Sequence, residues 1–229
     1  ELGGKSPNII FADVDIEPVA AEAVSSVFAN AGQDCCARAR VIVERKLYPK
    51  LVEAMAAVAG AMKVGDPLSE QTEMGPLISA AQRDRTERYI ALGREEGARY
   101  VCGGERPEGE GYFLRPAIFA DARPGMRIVD EEIFGPMVVV IPFDTVAEAI
   151  AIANDSIYGL SGSLWTNDLK RALRVARAVR TGVLSVNSSS SVHLQAPFGG
   201  FKQSGLGREL GMHALEHYTE IKNVYFETN

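Results

Sequence analysis

The residue of this chain best suited to nucleophilic chemistry is a cysteine in the stretch Ala31-Gly32-Gln33-Asp34-Cys35-Cys36. Upstream, Asp15 is a candidate helix cap with Pro18 in the first turn. Ala20, Val24, Val27, Phe28 and Ala31 recur at helical spacing before Gly32 stops the helix. A cysteine in the loop beyond such a stop has backbone N–H groups at hand for a developing oxyanion, and its thiolate is a strong nucleophile. Isolated cysteines are more often inert packing residues, so the loop context alone leaves both readings open.

Three further blocks bear on the choice. The chain opens Glu1-Leu2-Gly3-Gly4-Lys5-Ser6-Pro7. It carries Glu131-Glu132-Ile133-Phe134-Gly135-Pro136 in the middle and Pro197-Phe198-Gly199-Gly200-Phe201-Lys202-Gln203-Ser204-Gly205 near the end. Glu1 lies 34 positions before Cys35, and Glu132 lies 97 after it. With the cysteine loop, these blocks in this order and spacing resemble the aldehyde dehydrogenase superfamily. The resemblance spans essentially the whole chain and corresponds to the C-terminal, catalytic half of such an enzyme. The dinucleotide-binding region is therefore expected upstream of residue 1, and the chain reads as a piece of a longer protein. It has no G-x-G-x-x-G turn at a strand end, and Gly199-Gly200 and Gly205-Leu206-Gly207 are weak phosphate cradles.

The resemblance implies a role for each motif residue. Cys35 matches the nucleophile and Cys36 its non-catalytic neighbour. Glu1 matches the general base, a role that suits a carboxylate raised toward neutrality by partial burial. Here Glu1 also carries the free α-amino group of the chain. Glu132 matches the residue that binds the nicotinamide ribose, and Phe134 the ring packed beside it, with plain core packing as the alternative. Leu2 and Gly3 fall where the family's backbone meets the nicotinamide amide. Asp34, Ser190, Val192 and Phe198 fall on the substrate side, and Asn187 precedes the loop closing the substrate tunnel. Many relatives carry aromatic residues in that loop; four serines, Ser188 to Ser191, lean instead toward a small or polar aldehyde.

The implied cofactor is NAD or NADP, and the implied reaction is oxidation of an aldehyde to an acid through a cysteine thioester. Two other readings stand beside it. One is a catalytically silent oligomerisation module. The other is a relative that passes the acyl group to coenzyme A or phosphate. The partners implied are an aldehyde and further copies of the same protein, as a dimer or tetramer.

Composition narrows the classes. A net charge of −6 without a basic stripe disfavours nucleic acid and anionic membrane as partners. No apolar run reaches about 18 residues, so no membrane span is expected. Three cysteines, two of them adjacent, make no disulfide framework, which suits a reducing cytoplasm. Cys102 reads as structural. His193, His213 and His217 show no metal-ligand spacing with the cysteines, so no metal site is expected.

The elements that must carry these residues alternate between short β-branched runs and helical patterns, which predicts an α/β fold with a largely parallel, twisted sheet flanked by helices. Strands are expected at Asn8–Phe11, Arg40–Val43, Arg99–Cys102, Met137–Phe143, Leu160–Trp165 and Val183–Val186. Helices are expected over Leu47 to Met62 and at Val146, Ala147, Ile150 and Ala151. A further helix, with Leu169, Ala172, Leu173, Ala176 and Val179 as its apolar face, is expected to stop at Arg180–Gly182. Pro107 to Gly111 reads as a surface turn. Residues 1–203 read as the catalytic domain. Residues 204–229 read as a C-terminal helix (Arg208 to His217) followed by an oligomerisation strand (Asn223 to Thr228).

Overall fold

The computed structural model describes all residues, 1–229. In chain order the elements are β1 (Pro7–Ile10), α1 (Ile16–Phe28), β2 (Arg40–Glu44), α2 (Tyr48–Ala61), α3 (Ala80–Glu95), β3 (Arg99–Cys102), β4 (Ala117–Ala120) and α4 (Arg127–Asp130). There follow β5 (Met137–Phe143), α5 (Val146–Asn154), β6 (Tyr158–Gly159), β7 (Ser163–Trp165), α6 (Leu169–Ala178), β8 (Ser185–Val186) and β9 (Phe201–Lys202). Seven strands form one sheet in the order β3-β4-β5-β2-β1-β7-β8, parallel throughout except where β3 runs antiparallel to β4. β6 and β9 pair separately.

Both faces of the sheet are covered, which is why its central strands read as unbroken apolar runs. Successive residues face opposite cores: Ile9, Ile42, Val139 and Ile141 join α3, α5 and α6, while Ile10, Val41, Val43 and Val140 join α1 and α2. The expected α/β architecture is the observed one.

Several boundaries move for local reasons. α1 ends at Phe28, ahead of Ala31, because Ala31 and Gly32 both take positive φ, 51° and 71°. Asp15 occupies the N-cap position, but its side chain makes no capping bond. α6 ends at Ala178 because the Arg180 N–H turns to the Asn154 side chain at 2.7 Å. Its buried face is Ala172 and Val175, with Val179 just beyond its end; Leu169 and Leu173, expected inside, are exposed. β4 and α3 were not foreseen. α3 is mostly polar and buries only Thr86, Tyr89, Ile90 and Gly93, so its apolar periodicity is weak. Its start is legible in Ser79-Ala80-Ala81-Gln82, where the Ser79 hydroxyl accepts from the Gln82 N–H at 3.3 Å.

The C-terminal helix differs from expectation, and the expected strand is not seen within the single chain. A 3-10 helix at Met212–Tyr218 replaces the expected Arg208–His217 helix, and Asn223–Thr228 pairs with no strand of the chain. A strand exists only with a partner edge, and this chain offers that segment none.

Two buried cations sit side by side near the start of β1. The Arg40 guanidinium donates to the carbonyls of Lys5 (2.9 Å), Ile152 (3.0 Å) and Ala153 (3.0 Å), with a longer bond to Asp155 (3.3 Å). It thereby closes the C-terminal end of α5, where a helix favours positive charge. Lys5 is 3% exposed, and its Nζ has no hydrogen-bond partner. Burial, reinforced by repulsion from Arg40 and opposed by Glu132, Asp130 and Glu131, holds its pKa down at about 7. Unfolding restores the ordinary value of 10.5, so between these limits the unfolded chain binds more protons and stability rises with pH. The penalty on the folded state is therefore full below pH 7. Replacing Lys5 with Met, which keeps the length and removes the charge, is expected to raise the urea midpoint by the equivalent of a few kcal/mol at pH 6. That advantage shrinks steadily toward pH 10, and a pH-independent difference would show that Lys5 stays charged in the folded protein.

Candidate active site

The motif residues converge at the N-terminal edge of the parallel strands. Glu1–Gly3 lead into β1, Cys35 lies five residues before β2, and Glu132–Phe134 lead into β5, whose registers place these three starts side by side. Ligands of open α/β sheets more often lie at the carboxyl ends of the strands. Here the opposite edge is used, because the residues that do chemistry sit on the segments entering the strands.

Cys35 occupies the second position of a tight turn. The Ala37 N–H donates to the Asp34 carbonyl at 3.0 Å, and the Cys36 N–H to the Asp34 carboxylate at 2.7 Å. The Cys35 N–H has no intramolecular acceptor, so it is free to meet an oxyanion formed at the adjoining sulfur. Gly32 fixes where this turn sits: a Cβ there would stand 2.0 Å from the Gly135 carbonyl oxygen. The nucleophile loop and the Glu132–Phe134 loop are thus packed backbone on backbone. The second of these loops is held by α3. The Arg85 guanidinium donates to the Glu132 carbonyl at 2.7 Å, and the Gln82 amide to the Ile133 carbonyl at 3.1 Å.

The Glu1 segment is anchored from the other side. Ser204 is fully buried; its hydroxyl donates to the Gly3 carbonyl (2.7 Å) and accepts from the Gly159 N–H (2.9 Å). Its carbonyl accepts the Leu2 N–H at 3.0 Å. Ser204 sits on the turn after β9, where the Lys202 ammonium donates to the carbonyls of Asn154 (2.8 Å) and Ser156 (2.9 Å). The Leu2 carbonyl and the Gly3 N–H remain free of partners.

Two clefts meet at Cys35. One, of about 540 Å³, is lined by Glu1, Leu2, Gly3, Asn30, Gln33, Asp34, Cys35, Glu132 and Phe134. The other, of about 550 Å³, has Glu1, Asp34, Cys35 and Cys36 on one wall and Ser189–Ser191, Val192, Phe198 and Glu209 on the other, with Ser25, Ser26 and Ala29 from the end of α1. Glu1, Asp34 and Cys35 line both. Every site residue expected from the sequence therefore borders at least one cleft: the expected cofactor residues line the first, Ser190, Val192 and Phe198 line the second, and Asp34 lines both.

Three details bear on readings the sequence left open. Glu1 is exposed, without the partial burial that would suit a general base, because it precedes the first backbone bond that holds the segment. Phe134 is 41% exposed in the cleft at φ 58°, so the core-packing alternative does not hold. Asn187 holds the start of the serine loop, its side chain accepting from the Thr166 N–H and donating to the Thr166 carbonyl, both at 3.0 Å. Asn30, Gln33, Ser25, Ser26 and Glu209 were missed; small polar residues at a helix end carry no pattern that marks them.

The two neighbouring thiols shift each other's titration in opposite directions. Hydrogen bonding to Cys36, then burial, then the Glu1 carboxylate hold the Cys35 thiol above its ordinary range. Accepting that bond, with help from Arg38, holds Cys36 below it. Cys36 is 7% exposed, however, whereas Cys35 opens on both clefts. Of the two, Cys35 is therefore the sulfur more accessible from the clefts. Cys102, at the end of β3, is held up by burial.

The Gly3 position leaves room for a bound group and a carboxylate together: a Cβ there would stand 2.2 Å from Glu132 Oε2. The Glu132 Oε1 accepts the Gly4 N–H at 2.9 Å, leaving its second oxygen at the cleft. A carboxylate for vicinal hydroxyls, an exposed aromatic ring and a free backbone carbonyl and N–H are the donor set that a nicotinamide riboside needs.

The chain is similar to known proteins over nearly its whole length. The family model described as "Aldehyde dehydrogenase family" matches residues 1–224. The chain is 45% identical to a betaine aldehyde dehydrogenase of Bacillus subtilis, covering 100% of this chain and 47% of that protein. It is 47% identical to an aldehyde dehydrogenase of Aspergillus niger, covering 99% and 46%. Among solved structures, the NAD+ complex of an aldehyde dehydrogenase from Bacillus cereus superposes with a TM-score of 0.96 at 46% identity, over 100% of this chain and 47% of that one. A betaine aldehyde dehydrogenase from Staphylococcus aureus in complex with NAD+ gives 0.93 at 42%, over 95% and 44%. The chain spans about half the length of the relatives it matches.

Alkylation by substoichiometric iodoacetamide is expected to fall on Cys35 first, read by peptide mapping with circular dichroism as a folding control. Preferential labelling of Cys102 would remove Cys35 from the role of nucleophile.

Proposed function

The chain belongs to the aldehyde dehydrogenase family, and from that premise we propose that it carries the catalytic chemistry of an NAD(P)-dependent oxidation of an aldehyde to a carboxylic acid. The observation that supports this reading is the meeting of two clefts at one sulfur, with a carboxylate, Glu1, on both. Cys35 adds to the aldehyde carbon, and the Cys35 N–H receives the resulting oxyanion. Glu132, Phe134, the Leu2 carbonyl and the Gly3 N–H hold the nicotinamide end of the dinucleotide across the other cleft. A dinucleotide held there would supply the acceptor for the hydride that the adduct must lose to become a thioester on Cys35.

Glu1 then takes a proton from water as that water attacks the thioester carbon. The acid leaves and the Cys35 sulfur is restored. A carboxylate beside the sulfur favours water as the acyl acceptor over coenzyme A or phosphate. The substrate-side wall presents serine hydroxyls in place of aromatic rings, which supports a small or polar aldehyde.

The complete dinucleotide site and the oxidation itself need the part of the fold that the longer relatives have and this chain does not span. The C-terminal arm supports a second role for residues 204–229, in assembly. Leu206, Met212, Tyr218, Ile221 and Phe226 are all exposed along it, and water leaves such a run of apolar side chains a ready docking surface. We assign it to contact with another copy of the protein, as a dimer or tetramer. No helix is long and apolar enough to cross a membrane, and three unpaired thiols support a cytoplasmic location.

In the full-length enzyme, Glu1→Gln is expected to leave acylation intact and to slow thioester hydrolysis by about 10²–10⁴. Stopped-flow traces would show a burst of reduced cofactor followed by a slow phase; loss of the burst would place Glu1 in an earlier step. The 229-residue chain by itself is expected to bind NAD with a Kd above about 1 mM, since a few contacts at the nicotinamide end do not offset the cost of immobilising the ligand. Calorimetric titration giving a micromolar Kd would show that the remaining fold is dispensable.

A further inference from the structure

Arg38 lies three residues beyond Cys35 and is 1% exposed, and all three of its guanidinium nitrogens donate. Nε bonds the Ser163 hydroxyl at 2.7 Å, on the first residue of β7. Nη1 bonds the Cys36 carbonyl at 2.5 Å, within the turn that carries the nucleophile. Nη2 reaches across to the serine loop, to the Ser189 carbonyl at 3.1 Å and the Ser191 hydroxyl at 2.6 Å. One rigid, planar fork therefore touches the sheet, the turn behind Cys35 and the facing wall of the substrate-side cleft.

The serine loop has little else to hold it. Ser188 to Ser191 offer no apolar side chain to a core, so their position rests on hydrogen bonds. Ser191 also bonds Ser161 at 2.8 Å, Ser189 bonds the Glu22 carboxylate, and the Ser185 hydroxyl donates to the Ser190 carbonyl. Of these partners only Arg38 also holds the turn at Cys35. Burial lowers the Arg38 pKa to about 10, which leaves it charged at neutral pH, and hydrogen bonds from a charged donor are the stronger kind.

We infer that Arg38 is a positioning residue, a clamp that sets the separation between the Cys35 turn and the serine wall and so determines which aldehydes reach the sulfur. The consequence for substrates rests on the reading of Cys35 as the nucleophile; the clamp itself is a statement about the coupling of two loops. With the loop held, the wall offers hydroxyl groups at fixed positions and suits an aldehyde bearing its own hydrogen-bonding groups.

A double-mutant cycle tests the coupling in the 229-residue chain, using Arg38→Gln and Ser191→Ala. Two readouts are taken: hydrogen exchange over residues 188–192 by mass spectrometry, and the second-order rate of Cys35 alkylation by iodoacetamide. Alone, Ser191→Ala is expected to speed loop exchange about tenfold and to change the alkylation rate about threefold, although Ser191 carries no chemistry. In the Arg38→Gln background the same change is expected to add less than about threefold to exchange and nothing to alkylation, the residue being the Ser161 bond. Additive effects, or exchange like that of the unmodified chain in either single variant, would overturn the clamp. If Arg38→Gln does not fold by circular dichroism, Arg38→Lys, which keeps the charge without the fork, serves as the background and the same comparison decides. Neither readout needs turnover, so a full-length protein that fails to oxidise aldehydes counts against the oxidation proposed above and leaves the loop result standing. Where turnover is present, Ser191→Ala is expected to raise KM for a hydroxylated aldehyde more than it lowers kcat.

Discussion

Arg40 is the constraint on which the rest of the site depends. It is the first residue of β2, five positions after Cys35, and it is buried with no carboxylate hydrogen-bonded to it. Burying a guanidinium costs several kcal/mol unless its donors are met. Here they are met by carbonyls alone: three at the end of α5, where the helix dipole is negative, and that of Lys5. The last bond matters most for the chemistry, because Lys5 belongs to the segment that begins with Glu1. One side chain therefore locks the strand that follows Cys35 to the strand that follows Glu1, using the end of a helix as the counter-charge. Lys202 repeats the device from the other side of α5 and holds the Ser204 turn against Gly3.

A site at the N-terminal edge of parallel strands follows from this arrangement. The loops entering β1, β2 and β5 are irregular and rich in glycine, and they can approach one another because glycine leaves space where Gly3 meets Glu132 and Gly32 meets Gly135. Backbone-to-backbone contact gives the site rigidity without bulky side chains, which leaves two clefts open on either side of Cys35. The chemistry of an aldehyde dehydrogenase needs that division, since the group that attacks and the group that accepts hydride must reach the same carbon from different directions. The serine loop closes one side through hydrogen bonds alone, and this makes its position dependent on the cations and hydroxyls behind it.

The C-terminal arm obeys a different constraint. From Met212 onward the chain leaves the body of the fold with its large apolar residues facing water. The 3-10 helix buries none of its own residues. Such a segment gains its free energy from whatever it docks against, which is consistent with a role in assembly and explains why an expected strand has no ladder within this chain.

The sequence by itself determined the α/β class, most of the central strands and a set of candidate site residues that the fold brings to the two clefts. Unbroken apolar runs such as Met137–Phe143 specify strands buried on both faces, and the motif blocks around Glu1, Cys35, Glu132 and Phe198 carry their spacing in plain view. It did not disclose α3, whose polar sequence hides its helical period, although Gln82 and Arg85 on that helix hold the Glu132–Phe134 loop. Nor did it disclose β4, the exposure of Glu1, or the exposure of Leu169 and Leu173. Arg38 and Arg40 read only as scattered cations among acids. Most of their partners lie 112 to 153 residues away in the chain. Hydrogen bonds of a buried cation to backbone carbonyls leave no residue-type pattern, because any residue supplies a carbonyl, and only the folded chain decides which ones arrive.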